Sequence, residues 1–150
     1  MRIALGSDHA GYCLKEQVCK HLEASPHSCK DFGVFTEESV DYPDIAASVA
    51  AGVQSGEYDC GILICGTGIG MSIAANKNNG IRAALCGEAY SAKCAREHNN
   101  ANVLTMGSRV TGPGLALDIV DQFLNTTFSG GRHSRRLQKI ESLETKDIKS

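Results

Sequence analysis

Cys65 closes the apolar run Ile62-Leu63-Ile64 and opens the segment Cys65-Gly66-Thr67-Gly68-Ile69-Gly70, after which Ser72-Ile73-Ala74-Ala75-Asn76 has helical composition. A thiol at a strand-to-helix junction sits beside the first free N–H groups of the helix and the positive end of its dipole, and both favour the thiolate. Such a sulfur can take a proton from carbon, glycines let backbone amides close on an anion, and the Thr67 hydroxyl can donate to a developing oxyanion. Plainer readings stay open. Cys65 also fits a small buried hydrophobe, Thr67 a helix cap, and the glycines a merely tight turn. Spacing counts against nucleotide loops. A dinucleotide fingerprint starting at Gly66 and Gly68 needs a third glycine at position 71, where Met71 stands, and no G-x-x-x-x-G-K-[ST] sequence occurs.

Three further groups carry candidate chemistry. Asp8 and His9, in Gly6-Ser7-Asp8-His9-Ala10-Gly11, follow an apolar strand, although Asp8 is equally suited to capping the next helix. His98, followed by Asn99, closes a helix that begins near Glu88; its near-neutral pKa suits proton exchange, but an imidazole there can also serve only the helix end. Arg132 and Arg136 stand at i, i+4 in Gly131-Arg132-His133-Ser134-Arg135-Arg136, so both guanidinium groups can lean over one face and clamp a phosphate. Arg109 can add a third. A solvated basic face is the alternative for these arginines.

Positioning these residues requires an α/β chain. Apolar runs at Ile3 to Gly6, Cys29 to Gly33, Gly61 to Cys65, Ile81 to Leu85 and Val103 to Met106 predict five strands of a small, doubly wound parallel sheet. Between them, i, i+4 stripes predict helices: Leu14, Val18 and Leu22; Ile45, Val49 and Val53 after Pro43; Ile69 and Ile73; Leu115, Ile119 and Phe123. Each stripe is expected to face the sheet. A last helix starts near Arg132 with Leu137 and Ile140, and the polar stretch 146–150 is expected to fray. In such sheets ligands bind at the carboxyl ends of the strands, where helix N-termini converge.

At 150 residues and 42% apolar content the chain reads as one domain, 1–150, and its net charge of −2 supplies no global field for nucleic acid. No apolar run approaches the ~18 residues of a membrane span, and nothing resembles a signal peptide, so a cytoplasmic protein is expected. Seven cysteines without C-x-x-C spacing fit neither a disulfide framework nor a zinc site. Cys13, Cys19, Cys29, Cys60, Cys86 and Cys94 are expected to be small core hydrophobes.

Taken together, Gly6 to Gly11, Asp41-Tyr42-Pro43, Cys65 to Gly70 with Ala74-Ala75-Asn76-Lys77, His98-Asn99, Asn102-Val103-Leu104, Gly107-Ser108-Arg109 and Gly131-Arg132-His133 resemble the type B ribose-5-phosphate isomerases. The resemblance runs nearly end to end. It implies a Rossmann-like three-layer α/β/α sandwich acting on a sugar phosphate without metal or nucleotide cofactor. By position it implies Cys65 as the base, Thr67 and the amides of Gly66, Gly68, Ile69 and Gly70 as the enediolate cradle, and His98 as the ring-opening acid. Asp8, His9 and Asn99 would hold the sugar, and Arg109, Arg132 and Arg136, with His133 nearby, the phosphate. A similar subgroup takes its base from a glutamate at the position of Met71, which methionine cannot replace. Homodimers or dimers of dimers with active sites shared between chains are also implied. A six-carbon sugar phosphate, of the allose or galactose 6-phosphate kind, is the nearest alternative substrate. A non-catalytic binding module for nucleotides or phosphorylated metabolites is the alternative of another class.

Overall fold

The computed structural model describes residues 1–145; the stretch 146–150, expected to fray, lies outside them. Five strands, β1 (Arg2–Ser7), β2 (Ser28–Asp31), β3 (Cys60–Cys65), β4 (Ala83–Leu85) and β5 (Val103–Gly107), form one sheet in the order β2-β1-β3-β5-β4. All four pairings are parallel. The four crossovers are helical, as parallel neighbours require: α1 (Tyr12–Glu23), α2 (Tyr42–Gln54), α3 (Ile69–Ala75) and α4 (Ala89–Glu97). Two further helices, α5 (Pro113–Asn125) and α6 (Arg132–Glu144), follow the last strand.

Strand alternation assigns the two faces. Ile3, Leu5, Ile62, Ile64, Leu104 and Met106 pack with the apolar sides of α1, α4 and α5. Ala4, Leu63, Cys65 and Val103 pack with α2 and α3 on the other side. The result is the expected three-layer α/β/α sandwich. Strands β1, β3 and β5 are covered on both faces, and β3 is accordingly an unbroken buried run.

Several expectations need correction. Strand β2 ends at Asp31 rather than Gly33, because the Asp31 carboxylate takes the Gly33 N–H at 2.8 Å and Gly33 turns the chain at φ +96°. Strand β4 begins at Ala83 rather than Ile81, since the Ile81 N–H is spent on the Asn78 carbonyl of the preceding turn. In α3, Ile69 and Ile73 face solvent, while Met71 and Ala75 face the sheet. Both pairs share the i, i+4 spacing, so in a seven-residue helix periodicity alone cannot choose between them. Leu115 and Ile140 are likewise exposed; their helices bury Ala116, Ile119, Val120 and Phe123 in one case and Leu137 in the other.

Of the six cysteines expected in the core, only Cys60 and Cys86 are buried. Cys19 and Cys94 are intermediate, and Cys13 and Cys29 are exposed. Cys13 lies off the Leu14, Val18 and Leu22 stripe, and Cys29 belongs to a short edge strand that is mostly uncovered. In their place the core takes Lys15, whose side chain has 0% exposure. Its ammonium lies over the Tyr12 and Phe35 rings, 5.5 and 5.2 Å from their centroids, and meets the Asp31 carboxylate at 2.5 Å.

Candidate active site

Strands β1, β3 and β5 end level with one another, with Ser7 beside Ile64 and Cys65 beside Gly107. Their carboxyl ends therefore deliver Asp8, His9, the turn from Cys65 to Gly70, and Arg109 to one edge of the sheet. Cys65 retains 5% exposure, on the α2 and α3 side. Its Sγ accepts the Gly68 N–H at 3.1 Å. That bond depends on Gly68 adopting φ +79°, and a Cβ there would stand 2.5 Å from Leu85 Cδ1 and 2.8 Å from the Met106 backbone. Glycine is thus required by conformation and by space.

Neighbouring contacts shape the turn further. Ser108 donates its backbone N–H to the Cys65 carbonyl at 2.8 Å, and its hydroxyl bonds the Ala10 carbonyl at 2.7 Å, tying the ends of β1, β3 and β5 together. The Arg109 guanidinium lies against Gly66, 3.0 Å from where a Cβ would project. A permanent cation therefore flanks the amides of the turn. Thr67 is exposed, and its Oγ accepts the Ile69 N–H at 3.2 Å, leaving the hydroxyl proton for an incoming oxygen. The local turn role and the donor role of Thr67 are thus compatible.

Asp8 is 6% exposed and accepts the Gly11 N–H at 3.0 Å. The N-cap of α1 is Gly11 itself, with no side-chain cap, so Asp8 closes a local turn before the helix instead of capping it. His9 accepts the Val40 N–H on Nδ1 at 3.3 Å, which leaves the neutral ring's proton on Nε2 as a donor. The segment carrying Val40 is anchored at its start by Lys15, Asp31 and the Gly33 N–H.

His98 and Asn99 lie elsewhere. α4 runs antiparallel to the strands, and its C-cap is His98, only five residues before β5 starts at Val103. His98 therefore sits at the amino edge of the sheet, whereas Cys65 is level with Gly107 at the far end of β5. Four residue steps of β5 separate the two levels by about 13 Å. The same amino edge receives the start of α6. The Ser129 backbone N–H and hydroxyl both bond the Glu97 carbonyl, at 3.0 and 2.8 Å, and the His133 ring stacks on His98 with centroids 4.5 Å apart and planes 12° from parallel. Desolvation against its neighbours, with the positive charges of His98, Arg132 and Arg136, holds the His133 imidazolium below its ordinary pKa.

The expected site residues thus fall into two clusters. Asp8, His9, Cys65, Gly66, Thr67, Gly68, Ile69, Gly70 and Arg109 share the carboxyl edge, while His98, Asn99, Arg132, His133 and Arg136 share the amino edge. A single chain does not join them. Tyr42, noted in the sequence at the start of α2 but given no role there, joins the carboxyl edge: its ring occupies the space a Gly70 Cβ would need, at 2.5 Å. The one available signal was its place in Asp41-Tyr42-Pro43 at the start of α2.

Comparison with known proteins places this geometry. Residues 3–140 match the family model described as Ribose/Galactose Isomerase. The chain is 50% identical over 143 residues to ribose-5-phosphate isomerase B of Escherichia coli (strain K12), covering 95% of this chain and 96% of the relative. The structure of Clostridium thermocellum ribose-5-phosphate isomerase B superposes with a TM-score of 0.97 at 54% identity, covering 98% of this chain and 99% of that one. Ribose-5-phosphate isomerase B from Mycoplasma genitalium, solved with bound ribulose-5-phosphate, superposes with a TM-score of 0.92 at 43% identity, covering 97% of each chain.

Proposed function

The chain belongs to the ribose/galactose isomerase family, and on that premise we propose that it interconverts ribose 5-phosphate and ribulose 5-phosphate with Cys65 as the proton-transferring base. The observation that carries the reading is the Cys65 Sγ at the mouth of the glycine turn, accepting the Gly68 N–H at 3.1 Å. The sulfur thus stands at the end of the central strand with a backbone donor already aimed at it.

The chemistry follows from the two clusters. The furanose phosphate docks with its phosphate on arginine forks and its hydroxyls on Asp8, His9 and Asn99. His98 protonates the ring oxygen as the anomeric hydroxyl loses its proton, and the open aldehyde results. Cys65 thiolate then removes the C2 proton; the C2–H electron pair forms the C1–C2 double bond and the carbonyl pair moves onto O1. Amides of Gly66, Gly68, Ile69 and Gly70, with the Thr67 hydroxyl, hold the enediolate. Return of the proton from the thiol to C1, with O2 giving up its proton and O1 gaining one, yields the ketose.

Because His98 and Cys65 lie at opposite edges of one sheet, this sequence of steps requires a second copy that presents its amino edge to the first chain's carboxyl edge. The reading is therefore of a homo-oligomer, a dimer or a dimer of dimers, whose active sites each draw on two chains and whose single isomerase domain spans 1–150. Seven free cysteines suit the reducing cytoplasm. A turnover panel of five- and six-carbon aldose phosphates, run with EDTA, tests the substrate. Ribose 5-phosphate is expected to give the highest kcat/KM; faster turnover of a hexose 6-phosphate would overturn the assignment.

A further inference from the structure

The chain leaves α4 through His98, Asn99 and Asn100, and the exit is tight. The Asn100 N–H bonds the Arg96 carbonyl at 3.2 Å, and the Ala101 N–H bonds the Ala95 carbonyl at 2.9 Å. Asn100 takes φ +43°, and among the described residues no other non-glycine has a positive φ. Glycine is the usual choice where a helix ends in this conformation. Asparagine tolerates it better than most residues, and here its side chain has a use.

That use is a bond to Arg96, whose Nη1 donates to Asn100 Oδ1 at 3.4 Å and to the Ala101 carbonyl at 2.5 Å. The same guanidinium lies over the Phe123 ring of α5, 5.4 Å from its centroid. A second guanidinium reaches Asn100 from a different element. Arg82, just before β4, donates Nε to the Asn100 carbonyl at 3.0 Å. Its backbone is held in turn by Asn102, whose Oδ1 accepts the Arg82 N–H and whose Nδ2 donates to the Gly80 carbonyl, both at 2.8 Å. Two permanent cations therefore grip one residue, at its side chain and at its carbonyl. Compensating a helix end requires neither a strained backbone nor a second cation. A double hold on a strained residue beside His98 and Asn99 is instead what fixing those two side chains requires.

We propose that Arg96 and Arg82 are positioning residues for ring opening: by clamping Asn100 they set the aim of the His98 imidazole and the Asn99 amide. They act through the loop and carry no proton themselves. The inference rests on the reading of His98 as the ring-opening acid.

Ribulose 5-phosphate separates ring opening from proton transfer, because its O5 is phosphorylated and it has no furanose form. Deuterium exchange at its C1 in D₂O needs the Cys65 step but no ring chemistry, whereas turnover of ribose 5-phosphate needs both. The two rates are measured at saturating substrate for wild type, Arg96→Met, Arg82→Met, Arg96→Lys and His98→Ala. Each Met variant is expected to lose at least about tenfold in ribose 5-phosphate turnover while C1 exchange stays within about threefold of wild type. Arg96→Lys, which can still donate to the Ala101 carbonyl, should recover most of that turnover. The Arg82 side chain is 22% exposed, so its variant carries the test even where Arg96→Met does not fold. The proposal is overturned if, in the variants that fold, both rates fall together or neither falls. His98→Ala tells the two readings apart. If it also leaves the ratio of the two rates unchanged, the assignment of His98 fails together with the clamp; if it alone lowers turnover selectively, only the clamp fails.

Discussion

His98 and His133 stack 4.5 Å apart at the amino edge of the sheet, the edge opposite Cys65. This pairing welds the end of α4 to the start of α6 and gathers two imidazoles and two arginines into one basic surface. Under the proposed mechanism, a surface of that kind would complete an active site by meeting the carboxyl edge of another chain.

Complementation tests that arrangement. Cys65→Ala and His98→Ala are each expected to abolish turnover alone. When the two are unfolded together and refolded as a mixture, hybrid dimers should regain one intact site, restoring about a quarter of wild-type activity for random pairing of equal amounts. A mixture as inactive as its components would place both residues in the same chain's site.

The stacked rings also predict a pH dependence. The folded pKa of His133 is depressed, so between that value and ~6.5 the unfolded chain binds more protons than the folded one. Stability should therefore fall as pH drops through ~6.5 and level off below the folded pKa. Urea unfolding from pH 7.5 to 5 should show this slope in the wild type and a shallower one in His133→Asn. An unchanged slope would remove His133 as its source.

Gly68→Ala should be costly twice over. A left-handed φ of +79° and a Cβ 2.5 Å from Leu85 together predict about 2–4 kcal/mol of destabilisation. Displacing the Gly68 N–H from Cys65 Sγ should also lower kcat more than it raises KM. Chemical denaturation and steady-state kinetics on the same preparation check both effects.

Lys15→Met removes the cation from the Asp31 carboxylate and frees the segment whose Val40 N–H faces His9. About 2 kcal/mol of stability should be lost, since Asp31 is left partly buried without its partner. KM should rise with kcat largely kept, because His9 binds and does not transfer the carbon-bound proton. Lys15→Arg should recover much of the KM. A kcat defect with normal KM would contradict this role.

Much of this was legible in the residues. The five strands, their parallel arrangement and the cysteine at the end of β3 follow from apolar runs and one glycine-rich junction. The position of His98 opposite Cys65 is implicit in topology, because a crossover helix returns antiparallel to its strands and His98 ends such a helix. What periodicity could not supply is the choice between Ile69/Ile73 and Met71/Ala75, since both have helical spacing and only packing against β3 and β5 decides. Lys15 was hidden for a similar reason: a charged residue beside Leu14 reads as surface until Asp31, brought close by β2, gives its ammonium a partner. The seating of Tyr42 on Gly70 and of His133 on His98 joins residues far apart in the chain, and no local pattern records it.

The most direct test of the central claim is the isomerisation of ribose 5-phosphate in D₂O by wild type and Cys65→Ala, with product deuterium read by NMR. A thiol that carries the proton from C2 to C1 exposes it to solvent exchange, so wild-type ketose should carry deuterium at C1. Cys65→Ala should lose at least about a thousandfold in kcat, some 4 kcal/mol of transition-state stabilisation. Near-normal turnover by the variant, with product free of solvent deuterium, would contradict a proton relay through this sulfur.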